Sequence, residues 1–247
     1  MIHGGTPRWR RLGPMILALW MAFALAPRPV AAGYYQASVY ANTTAWSTAC
    51  GGDGGTIPTK LRSLATAGLQ YLGYSPSAFT GASFSVSKVQ SRVAGDRAIF
   101  VHSHGDHYWP DWGFRADGAA CSGTVVTAAS IQKLRASTIP ASFVLMSTCH
   151  LGEAGSTMPA AFGIPKSKSQ ANGIGYLGPR FYMSYVGTAW TIDMLAFETN
   201  FWAQMRSGQT VGNAFTAARR ATRFAYPTVP QWWGSWTFDG RAGATAL

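Results

Sequence analysis

Two runs along this chain are apolar without interruption, and they organise the rest. Arg97-Ala98-Ile99-Phe100-Val101 and Ser142-Phe143-Val144-Leu145-Met146 are continuous rather than alternating, as in strands covered on both faces. Residues 34–41, YYQASVYA, read as an opening strand, and Gly173 to Gly178 as a further one. Other segments follow the helical period. From Pro58, which suits a first helical turn, to about Leu72, one face carries Leu61, Leu64, Ala65, Gly68 and Leu72. Ala128 to Ser137 is helical. Trp190, Met194, Phe197, Phe201 and Met205 recur at helical spacing until Ser207-Gly208 stops them. Thr210 then caps a last helix through Phe215, Ala218 and Thr222. Ser85 to Val93 fits both periods: Val86, Val89 and Val93 match a helix, while Phe84 to Ser87 alternates like a strand. The tail QWWGSWTF is expected to fold back onto the domain. Strand and helix in alternation predict an α/β domain with a mostly parallel sheet.

The start of the chain follows another rule. Arg8, Arg10 and Arg11 precede the apolar run Met15 to Ala26, and Val30-Ala31-Ala32 offers small residues for cleavage. Basic, apolar and small in that order is a secretory signal. The division expected is a signal peptide over 1–32 and one domain over 33–247. The mature protein is then secreted, periplasmic or held at the cell surface.

Composition excludes some classes. Of the 247 residues, 47% are hydrophobic and 12% charged, too apolar for a disordered polymer. Gly 28 and Pro 13 show no short period, which excludes collagen. The net charge is +11, and from residue 33 onward sixteen basic residues face nine acidic ones. Arg219, Arg220 and Arg223 are the one local cluster, read as a solvated face. Weak contact with anionic cell-surface polymers is a further reading. No nucleic-acid motif is present. Oligomeric state is not encoded in any pattern of the sequence.

Only three cysteines exist. In an oxidising compartment two of them pair. Cys50 and Cys121 both lie in Gly-rich loops, so a Cys50–Cys121 bridge and a free Cys149 are expected; three reduced, inert thiols are the alternative.

In a parallel sheet the functional groups gather beyond the carboxyl ends of strands. His104 and Cys149 each follow one of the two buried runs, 45 residues apart, which leaves room for one helical crossover. The sheet would bring an imidazole and a thiol to one edge. A thiolate is a nucleophile, and a nearby imidazole can take its proton and later give one to a leaving amine. The backbone at Gly105 and the N–H of Cys149 could face a developing oxyanion.

These motifs, Phe100-Val101-His102-Ser103-His104-Gly105 and Met146-Ser147-Thr148-Cys149-His150-Leu151-Gly152, resemble those of the caspase-like (clan CD) cysteine peptidases. The stretch from Ile174 to Arg219 looks most like the gingipain-related branch. The resemblance implies a three-layer sandwich and hydrolysis of peptide bonds in peptide or protein substrates, without a cofactor. It implies His104 as general acid/base, Cys149 as nucleophile and Gly105 as an oxyanion contributor.

A rival reading starts from the same loop. His102, His104, Asp106 and His107 spell H-x-H-x-D-H, which resembles the zinc-binding string of metallo-β-lactamase-fold hydrolases. A non-catalytic exported binding domain of the same fold is the third reading.

Overall fold

Strand β3 (Ala98–His102) and strand β7 (Phe143–Ser147) are buried at every residue. Their side chains alternate between two separate cores. Ala98, Phe100, Phe143 and Leu145 enter one; Ile99, Val101, Val144 and Met146 enter the other. That is why both runs read as continuous apolar sequence: each face has its own helical layer to bury against. The computed structural model describes residues 35–42, 56–116, 123–165 and 179–243, with Met1. The chain divides into units Met1–Ala32 and Gly33–Leu247, and the elements below lie in the second.

The main sheet has six strands in the order β2-β1-β3-β7-β8-β9. Strands β1 (Gln36–Ala41), β2 (Ser75–Thr80), β3, β7 and β8 (Phe181–Val186) run parallel. Strand β9 (Val229–Gly234) closes the far edge antiparallel to β8. Helices α1 (Thr56–Tyr71), α5 (Thr191–Arg206) and α6 (Val211–Ala221) cover one face through Leu61, Phe197, Phe201 and Phe215. Helices α2 (Val86–Val93), α3 (Ala128–Arg135) and the short α4 (Met158–Ala161) cover the other through Val89, Ile131 and Met158. The result is the expected three-layer α/β sandwich.

Local chemistry explains the element ends. Ser85 accepts a bond from the Lys88 N–H and so caps α2, which resolves the ambiguous segment as helix. Thr210 caps α6 through the Asn213 N–H, as expected. Gly208, at φ +84°, ends α5 in the left-handed region. The tryptophan-rich tail does fold back, as β9.

Both edge strands carry a proline: Pro76 in β2 and Pro230 in β9. Proline cannot donate to a ladder, so it suits an edge and blocks further pairing there. The same prolines hide these strands from a pattern search. A second sheet was also not foreseen: β4 (Gly105–Tyr108), β5 (Asp111–Arg115) and β6 (Val125–Thr127), antiparallel. The expected strand over 173–178, the signal segment over 2–32, and Cys50 and Cys121 lie outside the described residues.

Helices α1 and α5 meet at Gly68. A methyl group there would overlap the ring of the fully buried Trp202. Gly68→Ala gains about 1 kcal/mol of helix propensity but overpacks a rigid ring, at the upper end of a roughly 1–3 kcal/mol range. A net loss of about 1–2 kcal/mol is expected, measurable by urea denaturation, with Trp202→Leu in the same chain restoring tolerance of the alanine.

Candidate active site

The pairing of β3 with β7 sets the site. His102 lies opposite Ser147 in the parallel register. Two residues further along each chain stand His104 and Cys149. His102 fastens this end of the pair: its Nδ1 lies 3.1 Å from both the carbonyl oxygen and Oγ of Ser147. It is fully buried.

His104 and Cys149 line one cleft of about 270 Å³, together with Gly105, Asp106, Tyr108, Arg115 and His150. Strand β4 begins at Gly105 and leads into the hairpin that walls the cleft. The backbone at Gly105 packs against the Cys149 loop. A side chain there would stand 2.7 Å from the Cys149 carbonyl oxygen and 2.8 Å from Thr148 Cβ, so only glycine fits.

Cys149 is a free thiol. Its Sγ accepts from the Ala189 N–H at 3.3 Å, in the loop after β8. The loop after β8 therefore reaches the sulfur presented beyond β7, in the cleft that His104 also lines. Burial pushes the thiol above its ordinary value; the Ala189 N–H pulls it down and the Asp106 charge adds to the rise. Burial holds His104 below the ordinary imidazole value, and the Arg115 guanidinium lowers it further. Both groups therefore rest neutral at neutral pH.

The residues of the H-x-H-x-D-H string do not all meet: His104 and Asp106 line the cleft, while His102 and His107 are not part of its lining. His102 is committed to Ser147. Asp106 accepts from the His107 N–H at 2.7 Å, and the His107 ring lies tilted against Trp112, their centroids 4.8 Å apart. The string straddles a strand end and the first strand of a hairpin, where successive side chains face opposite ways. Among the described residues, no three His, Cys, Asp or Glu gather as a metal site. His150, at φ +61°, turns its Nδ1 to Glu153 Oε1 at 2.8 Å. Tyr108, Arg115 and Ala189 were not foreseen as site residues. Arg115 could have been suspected from the alternation in Asp111-Trp112-Gly113-Phe114-Arg115; Ala189 leaves no signal.

Below the site lies a buried acid. Glu198 on α5 is fully buried and accepts from the Tyr185 hydroxyl at 3.0 Å. Burial pushes its carboxyl up to about 8, against the pull of the Ser147 and Tyr185 hydroxyls.

A sheet of this order, with a histidine loop and a cysteine loop on adjacent strand ends, has the architecture of the caspase-like proteases. Solved structures agree. The Arg-specific cysteine proteinase gingipain R matches at 12% identity and TM-score 0.54, over 84% of this chain and 48% of its own. Caspase-1 from Spodoptera frugiperda matches at 11% identity and TM-score 0.50, over 81% and 86%. Protein GSU0716 from Geobacter sulfurreducens matches at 10% identity and TM-score 0.50, over 86% and 100%. No protein-family model and no curated protein sequence matches the chain. The likeness establishes a caspase-like fold, and because gingipain R and a caspase match about equally, it selects no branch.

Two outcomes follow from these environments. Alkylation of Cys149 by iodoacetamide should rise about tenfold per pH unit through neutrality, with a midpoint above the ordinary thiol range, and Asp106→Asn should lower that midpoint by removing a negative charge. For Glu198, the folded form binds its proton more tightly than the unfolded chain, whose carboxyl titrates near 4.5. Its contribution is complete below that value and is lost as pH rises through about 8. Denaturation of Glu198→Gln should therefore show a flatter stability profile between those limits than the parent, by on the order of a few kcal/mol.

Proposed function

We propose that this chain is an exported cysteine peptidase, with Cys149 as nucleophile and His104 as general acid/base. The observation that carries the reading is the shared cleft: a free thiol and an imidazole on the same carboxyl edge, at matched positions beyond two paired parallel strands. The caspase-like fold supports peptides or proteins as the substrate class.

The chemistry is hydrolytic. His104, neutral at rest, takes the thiol proton as Cys149 Sγ attacks the scissile carbonyl carbon. The carbonyl oxygen gains the charge. The Cys149 N–H, which lies beside its own sulfur, is the donor assigned to that oxygen, next to the close backbone of Gly105. The tetrahedral carbon then expels the amine, which takes its proton from His104, leaving a thioester on Cys149. Water attacks the thioester, gives one proton to His104, and releases the acid product as the thiol regains its proton.

Because both groups start neutral, the thiolate forms during attack rather than beforehand. The optimum should therefore lie on the alkaline side of neutrality. The signal-type segment over 1–32 supports export, with a mature chain beginning near Gly33, and an oxidising destination would favour a Cys50–Cys121 bridge.

The test is hydrolysis of a mixed peptide library by the mature domain. Cys149→Ala and His104→Ala should each lower the rate about 10³-fold or more, and a thiol alkylator should do the same while a chelator leaves the rate within twofold. Activity that survives Cys149→Ala and falls with chelator would overturn the proposal in favour of the zinc reading. Absence of hydrolysis by the folded parent would favour a binding domain.

A further inference from the structure

A second cleft lies on the helical layer of α1, α5 and α6, between α6 and the returning tail. It encloses about 480 Å³ and is lined by Phe215, Thr216, Arg219, Arg220, Trp232 and Trp236. Its walls are rigid for identifiable reasons. The tail backbone takes the first N–H groups of α6: Val211 N–H donates to the Phe238 carbonyl at 2.7 Å, and Gly212 N–H to the Trp236 carbonyl at 3.2 Å. Gly212 has no side chain because the Trp236 indole lies against its Cα. Trp232 is fixed between Phe181, at 6.2 Å, and Phe215, also at 6.2 Å. Trp232 and Trp236 meet at 5.3 Å with their planes 55° apart, forming an aromatic corner. Trp236 keeps 40% of its surface exposed.

Over this corner stand Arg219 and Arg220, both exposed and neither in an ion pair among the described residues. Their position at the end of α6 complements the helix dipole, which accounts for a cation there but not for the charge of the whole layer. Helices α1 and α5 of the same layer carry the exposed Lys60 and Arg206 and the half-buried Arg62, and the exposed Arg223 follows just past α6. The acids of these three helices are Asp193 and Glu198, exposed by 2% and 0%. The helices therefore present cations and no carboxylate to solvent.

We propose that this cleft binds an acidic polysaccharide. A pyranose ring has apolar faces and polar edges. An indole corner covers such faces, and two guanidinium groups at the rim take a carboxylate or phosphate on the edge, each capable of a bidentate bond. The volume falls in the range of small-ligand sites and holds a short stretch of a chain. The cationic layer around it raises the local concentration of a polyanion. A membrane surface would be drawn by the cations alone and gives the paired indoles no ring face to cover. A single strand of nucleic acid stacks successive bases along a groove of aromatic rings, whereas these two rings form one corner. The site is on the helical face of the domain and is independent of the peptidase reading.

The experiment titrates the full mature domain with oligogalacturonate and follows quenching of tryptophan fluorescence. The expected result is saturable quenching that weakens at least tenfold with the fully methyl-esterified oligomer. The variant Arg219→Gln/Arg220→Gln should lose at least tenfold in affinity while remaining folded, with only the small drop in Tm that loss of the helix-dipole contact brings. The control Lys88→Gln/Lys133→Gln, which removes two cations from the opposite layer, should stay within twofold. Equal losses in the two double variants would overturn the proposal, since the attraction would then be one of net charge. Tighter binding of phosphatidylglycerol vesicles or of single-stranded DNA would also overturn it, as would the absence of quenching.

Discussion

One register governs this molecule: His102 opposite Ser147, on paired parallel strands, with the imidazole clasping the serine. Parallel strands gain their strength from burial on both faces, and a slip of one residue would exchange the side chains of the two cores. Ile99 would trade places with Phe100, and the sizes matched to each helical layer would no longer fit. The register is therefore fixed by packing along the whole of β3 and β7. The site inherits that fixity: His104 and Cys149 emerge level because everything behind them is level.

The loops then divide the labour. After β3 the chain turns at once into a hairpin, so the imidazole sits at the base of a rigid wall. After β7 it makes a tight turn through His150, held by Glu153. After β8 it sends the Ala189 N–H to the sulfur. Low dielectric surroundings keep the Cys149 thiol and the His104 imidazole uncharged, and two nearby charges, Asp106 and Arg115, act in the same sense. One raises the thiol while the other lowers the imidazole, and both favour the neutral pair.

The sequence displayed β3 and β7, buried on both sides, and hid the edges; β8 (Phe181–Val186), nearly as buried, was also missed, because Ser184 interrupts its apolar run. β3 and β7 are legible because their residues are all apolar; α5 and α6 because their apolar spacing is long and their stops, Gly208 and Thr210, are chemically explicit. The edge strands β2 and β9 were illegible because the prolines that protect an edge also erase a strand signal. The first strand of the hairpin, β4, was masked by its own chemistry: His102 to His107 read as a ligand string, and a polar strand at the surface has no apolar alternation to betray it. At the site, His104, Gly105 and Cys149 could be named from strand context. Ala189 could not, since its contribution is a backbone N–H, and any residue has one.

The tail deserves its place in this account through β8. Phe181 to Val186 is apolar and nearly wholly buried, and its outer ladder is covered by β9 alone. Until Val229 to Gly234 has docked, that ladder is a bare template on which another copy could pair. Pro230 then ends the invitation, since the covering strand offers an interrupted edge. The last strand thus guards the chain against self-association, and the interval between emergence of β8 and arrival of β9 is the interval in which clumping competes with folding.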